Sequence, residues 1–300
     1  EYLYMPFNDP VRGFINSALI GTQQAIFGYG YASTYQSFTK LVSNTGVIAT
    51  DTAGVGTARN TLAAAGYGGD KAIFGYGRIN IAQSMTNLVS NTGVVATDTT
   101  GVGTLRYSLA AAGYGGDKAL FGYGYTSGAG ATYVSTVNLV SNTGVVATDT
   151  PVWAPAPRYQ LAAAGYGGDK AIFGFGRTVD SVSWANLVSN TGVVASNTTS
   201  VGTPRQRLAA TGYGGDKAIF GFGYWGGAVP TSYDPSNITN LVSNTGVVAT
   251  DTTCVGQARS NTAAAGYGGD KAIFGGDAGY AVTNLVSNTG VVAADIANVG

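Results

Sequence analysis

The chain has 300 residues, 45% of them hydrophobic and 11% aromatic, ample for a packed core and contrary to intrinsic disorder. It carries no histidine, one cysteine (Cys254), and 15 basic residues against 15 acidic ones. Those counts exclude a Ser-His-Asp or Cys-His nucleophile, a His-ligated metal and an intramolecular disulfide, and the zero net charge argues against a dedicated nucleic-acid or anionic-membrane binder. No apolar run reaches the roughly 18 residues of a membrane span, so no membrane insertion is expected. The chain opens at Glu1, as a processed product or an excised domain would.

Residues 1–11 precede the repeats, and Tyr2-Leu3-Tyr4 is expected either to add a closing edge strand or to tether the molecule elsewhere. From there two strings recur six times. The first, GYGGDKAIFG, begins in a degenerate form at Gly21 and returns at Gly66, Gly113, Gly165, Gly212 and Gly266. The second, LVSNTGVVA or a one-residue variant, begins at Leu41, Leu88, Leu139, Leu187, Leu241 and Leu285. With the Asp of GGDK as marker and Gln23 in its place in the first copy, the spacings are 47, 47, 52, 47 and 54 residues.

Each unit reads as strands. Thr61 to Tyr67 is small and apolar, Gly68-Gly69-Asp70-Lys71 is a turn, and Ala72 to Gly77 is a second apolar run, together a hairpin. After a variable loop, Leu41-Val42 enters Ser43-Asn44-Thr45-Gly46, where Asn suits a type I turn and Gly the left-handed bulge position, and Val47-Ile48-Ala49 returns. No window shows a sustained helical period, so the fold class is all-β. Six units of about 50 residues with four antiparallel strands each predict a six-bladed β-propeller, with a β-solenoid as the alternative. The blades run over 12–58, 59–105, 106–157, 158–204, 205–258 and 259–300. The Ala-Ala-Ala-Gly strand suits the crowded axis of such a ring, and the register makes the first and last units neighbours.

The units resemble kelch repeats. Arg12, Arg59, Arg106, Arg158, Arg205 and Arg259 each stand 11 residues before the marker, and Phe74-Gly75-Tyr76-Gly77 occupies the place of the kelch glycine doublet, which itself is met at Gly275-Gly276. The resemblance spans residues 12–300 and implies the propeller fold. The near-identical glycine-rich repeats are also similar in style to structural proteins of tailed phages and other viral particles. That similarity implies a location on a virion or at an extracellular surface.

Function is expected where the repeat stops being regular. The variable segments and inter-unit connections carry Trp153, Trp184, Trp225, Tyr125, Tyr133, Tyr224 and Tyr233, aromatics that suit recognition of a sugar ring or a protein when held on a rigid scaffold. The competing reading is that these rings cover the blade edges. The arginines are expected near the channel mouth, where they either bind an anion or pair across blades with Asp51, Asp98, Asp149, Asp251 and Asp295, each of the first four lying about 8 residues ahead of the next Arg. Asn197 replaces Asp in the fourth copy, which makes Arg205 the candidate anion-binding residue. The Asp-Lys of GGDK is read as a solvated turn, because a phosphate loop needs its glycines to open a helix. Glu1 is the only glutamate, so sialidase-like chemistry finds no acid, and calcium at Asp234 or Asp277 would rest on single carboxylates. Cys254 is expected to fill a small gap. No catalytic residue, cofactor or metal is expected. The function that follows is a non-enzymatic module binding a cell-surface glycan or a partner protein, the alternative being a purely structural subunit that contacts other protein subunits of an assembly.

Overall fold

The computed structural model describes residues 24–152, 156–198, 201–226, 234–276 and 282–297. These residues are all-β, without a helix, and form small antiparallel sheets that follow the repeats. In the second unit a first strand, Ala63–Tyr67, pairs with Lys71–Gly75, which pairs with a third strand, Thr86–Val89. The same order recurs with Ala110–Tyr114, Ala162–Tyr166, Ala209–Tyr213 and Ala263–Tyr267 as first strands. In the first unit Ala25–Ala32 pairs with Thr34–Val42. Residues 1–11, Arg12, Trp153, Tyr233 and Asp277 lie outside the described residues.

The turns form as their sequences require. Gly68 and Gly69 take φ of 62° and 82°, a left-handed pair that residues with a Cβ reach only at a cost, and this bends the first strand back into the second. In Ser43-Asn44-Thr45-Gly46 the serine does more than expected: its Oγ accepts from the Val47 amide at 3.0 Å, while the Gly46 amide donates to the Ser43 carbonyl at 3.0 Å. The segment after this turn departs from a regular fourth strand. It pairs mostly through isolated bridges, such as Val89↔Val95 and Thr86↔Thr99, with short strands only at Thr252–Thr253 and Ile296–Ala297. The reason is a side chain. Asn87 is fully buried and donates its amide to the Ala96 carbonyl at 3.0 Å and to Asp98 at 2.9 Å, filling the ladder position between the two bridges.

Packing between units repeats as faithfully as the strands. Among the described residues five hydrophobic clusters each join two consecutive units, and a sixth joins Ala25, Phe27 and Val42 of the first unit to Ala263, Tyr267 and Ile273 of the sixth. Gly75 shows why its position is glycine: a Cβ there would lie 2.6 Å from the Phe121 ring of the next unit. The corresponding neighbours are Gly28 with Phe74, Gly122 with Phe173, Gly174 with Phe220, Gly221 with Phe274 and, from the sixth unit to the first, Gly275 with Phe27. The tyrosine closing each first strand tucks under the next unit's SNTG turn in the same sequence, Tyr67 beneath Gly144 and Tyr267 beneath Gly46.

Candidate functional site

Among the described residues the repeated arginines are not at a surface. Arg59, Arg106, Arg158, Arg205 and Arg259 are wholly buried, each with its guanidinium over an aromatic ring of the preceding unit at 4.1–4.7 Å, namely Tyr29, Tyr76, Tyr123, Phe175 and Phe222. Each also reaches the buried asparagine of its own third strand: Arg59 bonds Asn87 at 2.7 Å, and Arg106 and Arg259 bond Asn138 and Asn284. Beyond the asparagine stands the aspartate. The ion pairs are Arg59–Asp98 at 3.8 Å, Arg106–Asp149 at 3.6 Å, Arg205–Asp251 at 3.4 Å and Arg259–Asp295 at 3.1 Å.

This pairing corrects the expectation that each aspartate meets the arginine following it in sequence. The antiparallel sheet brings the end of a unit back across its own third strand, so the carboxylate meets the arginine that began the unit. Asp51 pairs instead with Lys40 at 3.3 Å. Asn197 consequently faces Arg158, at 3.5 Å, and not Arg205. Arg205 is ion-paired and enclosed, so it is not the exposed anion-binding residue expected from sequence. The carboxylates also hold the inter-unit connections: the Thr57 amide donates to Asp98 at 3.0 Å, and Thr104 and Thr203 do the same for Asp149 and Asp251. Burial raises the pKa of these carboxyls, but hydrogen bonds from threonine and asparagine and the arginine charge together hold Asp98, Asp149 and Asp251 below the usual range.

The variable segments lie beyond the arginines and are tied into a belt. The Asn80 amide donates to the Tyr35 hydroxyl at 3.0 Å, the Ala82 amide to Ser127 Oγ at 2.8 Å, and Ser181 Oγ to the Gly226 carbonyl at 3.2 Å. On this belt Tyr125 and Tyr133 come together, with ring centroids 5.3 Å apart. Two tyrosines not singled out from sequence complete the group: Tyr107 meets Tyr125 edge-on at 5.6 Å, and Tyr159 stacks on Tyr133 at 4.9 Å and 8°. Their signal was available, since both directly follow a buried arginine in the two units where that position is aromatic. All four are half-buried.

Arginines flank the cluster. Arg78 covers the Tyr107 ring at 4.9 Å, and Arg207 lies over Tyr224 at 5.4 Å. Tyr224 is buried beneath that arginine, whereas the adjacent Trp225 is 52% exposed. Trp184 is half-buried, and its carbonyl accepts from the Phe175 amide at 2.8 Å. Burial pushes the Tyr159 phenol up.

The opposite end carries a different feature. The first strands and turns of the second to sixth units line one shared basin of about 110 Å³, with Tyr67, Tyr114, Tyr166, Tyr213 and Tyr267, turn glycines, and Lys118, Lys170, Lys217 and Lys271. At the other end of the same strands a smaller space has an apolar lining, with Leu62, Leu109, Leu161 and Leu208 among alanines.

Among the described residues no group of three His, Cys, Asp or Glu side chains is placed to hold a metal ion. Within the same residues no helix is long and apolar enough to cross a membrane. No protein-family model matches the chain, and no curated protein matches it.

Proposed function

We propose that the six repeat units are the blades of a closed, kelch-like six-bladed β-propeller, and that it works as a non-enzymatic binding module at a virion or extracellular surface. The closure draws support from the contacts that pass from each unit to the next and from the sixth to the first, which an open solenoid has no reason to make. The binding role rests on the Tyr107–Tyr125–Tyr133–Tyr159 cluster flanked by Arg78 and Arg207. Flat faces and guanidinium groups held by a rigid scaffold are the chemistry that recognises a sugar ring or a partner protein. Trp225 extends this face as the most exposed large aromatic side chain among the described residues.

A glycan array probed with the native chain and with Tyr133→Ala and Trp225→Ala variants tests the reading. Binding that falls at least about tenfold in the variants, the scale of one lost aromatic contact, supports it. Absence of any sugar signal, together with partner contacts that avoid both residues, overturns it. One observation favours the structural alternative. Val47, Val94, Val145, Val193, Val247 and Val291 occupy equivalent places in all six units and are 65–67% exposed, an apolar ring suited to a neighbouring subunit of an assembly.

A further inference from the structure

We propose that the shared basin at the GGDK end is a second binding site, built for a small multivalent oxyanion bearing phosphate, sulfate or carboxylate groups. It is separate from the tyrosine face and does not depend on it.

The lysine distribution is the first observation. The chain holds six lysines, and five of them, Lys71, Lys118, Lys170, Lys217 and Lys271, stand at the same place after the turn glycines. Turn geometry needs the two left-handed glycines and does not need a cation beside them. Each lysine is 43–44% exposed, and its ammonium is held 2.6–3.1 Å from the aspartate that precedes it. The long side chain is thereby ordered before any ligand arrives, which lowers the entropy lost on binding.

Charge separation is the second observation. The aspartates are drawn away from the basin by the SNTG turns: Asn91 donates to Asp70 at 3.0 Å and Asn244 to Asp216 at 3.1 Å. The same asparagine-to-aspartate interaction joins Asn142 to Asp117, Asn190 to Asp169 and Asn288 to Asp270. The aspartates do not line the basin, whereas Lys118, Lys170, Lys217 and Lys271 do. Each of these pairs is thus a dipole with its positive end toward the basin, and several such dipoles converge on one space. A single exposed Lys–Asp pair contributes little, but a ring of them focuses positive potential on a concave site.

The lining is the third. Burial raises the pKa of Tyr67, Tyr114, Tyr166, Tyr213 and Tyr267, so these phenols stay neutral beside an anion. Cβ atoms built at Gly116, Gly168 and Gly215 meet nothing within 4 Å, so the rim is open. The volume is several times the roughly 10–15 Å³ that one water needs on the same measure, so an oxyanion of several heavy atoms fits. The apolar lining at the other end of the strands leaves the anion at the lysine level.

Tripolyphosphate, sulfate and citrate, titrated calorimetrically at low ionic strength, test the proposal. Tripolyphosphate is expected to bind, to lose roughly tenfold in affinity between 20 and 200 mM salt, and to lose at least tenfold in a variant with all five lysines changed to glutamine. The ranking of the three anions separates phosphate, sulfate and carboxylate as the group preferred. A companion measurement uses the unaltered chain: amine acetylation read by mass spectrometry, with Lys40, which pairs with Asp51 outside the basin, as internal control. Tripolyphosphate is expected to protect Lys118, Lys170, Lys217 and Lys271, which line the basin, and leave Lys40 unchanged. Equal acetylation with and without the anion, or an affinity untouched by the five substitutions, overturns the proposal.

Discussion

Asn197→Asp is predicted to stabilise the protein, and the structure supplies four internal references for the size of the gain. Arg158 is wholly buried over the Tyr123 ring and bonds the amide oxygens of Asn186 at 2.6 Å and Asn197 at 3.5 Å, where Arg59, Arg106, Arg205 and Arg259 each meet a carboxylate. At that distance two unit charges attract by about 5 kcal/mol with an effective dielectric near 20. Desolvating the new carboxylate offsets most of this, because the reference aspartates are only 22–29% exposed. The net gain is about 1–2 kcal/mol, or a rise of a few degrees in Tm for a chain of this length.

The sixth unit is the closest guide to that gain. There Gln257 replaces the threonine, so Asp295 is held by a backbone amide at 2.9 Å and by Arg259 at 3.1 Å without a hydroxyl. Ala156 occupies the same place in the fourth unit, and a double Ala156→Thr, Asn197→Asp variant is expected to add a further fraction of a kcal/mol by restoring that donor. The reference carboxyls titrate below the unfolded range, so their contribution is present above about pH 4 and is lost as pH falls through the folded pKa. Urea denaturation at pH 7 and pH 3 checks both statements. A variant no more stable than the native chain at pH 7, or a gain equally large at pH 3, refutes the argument that Arg158 lacks a counter-ion.

Gly75→Ala places a methyl 2.6 Å from the Phe121 ring and is expected to cost about 1–3 kcal/mol in equilibrium denaturation, with the loss reduced in a background where Phe121 is leucine. Tyr267→Ala and Tyr67→Ala both empty a space beneath the next unit's turn, and each is expected to cost about 3 kcal/mol or more. The comparison between the two bears on closure. If the sixth unit seals the ring against the first, the two losses agree within about 1 kcal/mol; a much smaller loss at Tyr267 signals an open end.

Much of the fold was legible because identical strings pin the units and their glycines pin the hairpins. Gly68-Gly69 dictates a tight reversal, and Ala63 to Ala65 suits a crowded axis, so both strands flanking the turn lie where expected. The fourth segment was harder, since nothing in Val94-Val95-Ala96 announces that Asn87 interposes its own amide. The arginine pairing was misread for a related reason. Distance along the chain favours Asp98 with Arg106, but the sheet folds Asp98 back on Arg59 through Asn87, a relay visible only once the third strand is placed. Within the candidate sites, Tyr125 and Tyr133 were found as loop aromatics, whereas Tyr107 and Tyr159 were passed over because they sit inside the repeat's regular portion. The lysine basin was missed because a turn read in isolation has no axis. Its meaning comes from five turns meeting around one space.

The sameness of the contacts between units has one more consequence. A phenylalanine seeking its glycine finds the same partner surface on every unit, so the interface carries no address. Correct order is imposed by the tether alone: the unit that follows in the chain arrives first because it is nearest. When chains are crowded during refolding, a unit from another molecule presents the same surface at comparable effective concentration, and exchange between molecules competes with closure. If the units close into the proposed ring, dilute refolding is expected to yield separate molecules, and concentrated refolding interlinked chains with native-like sheets.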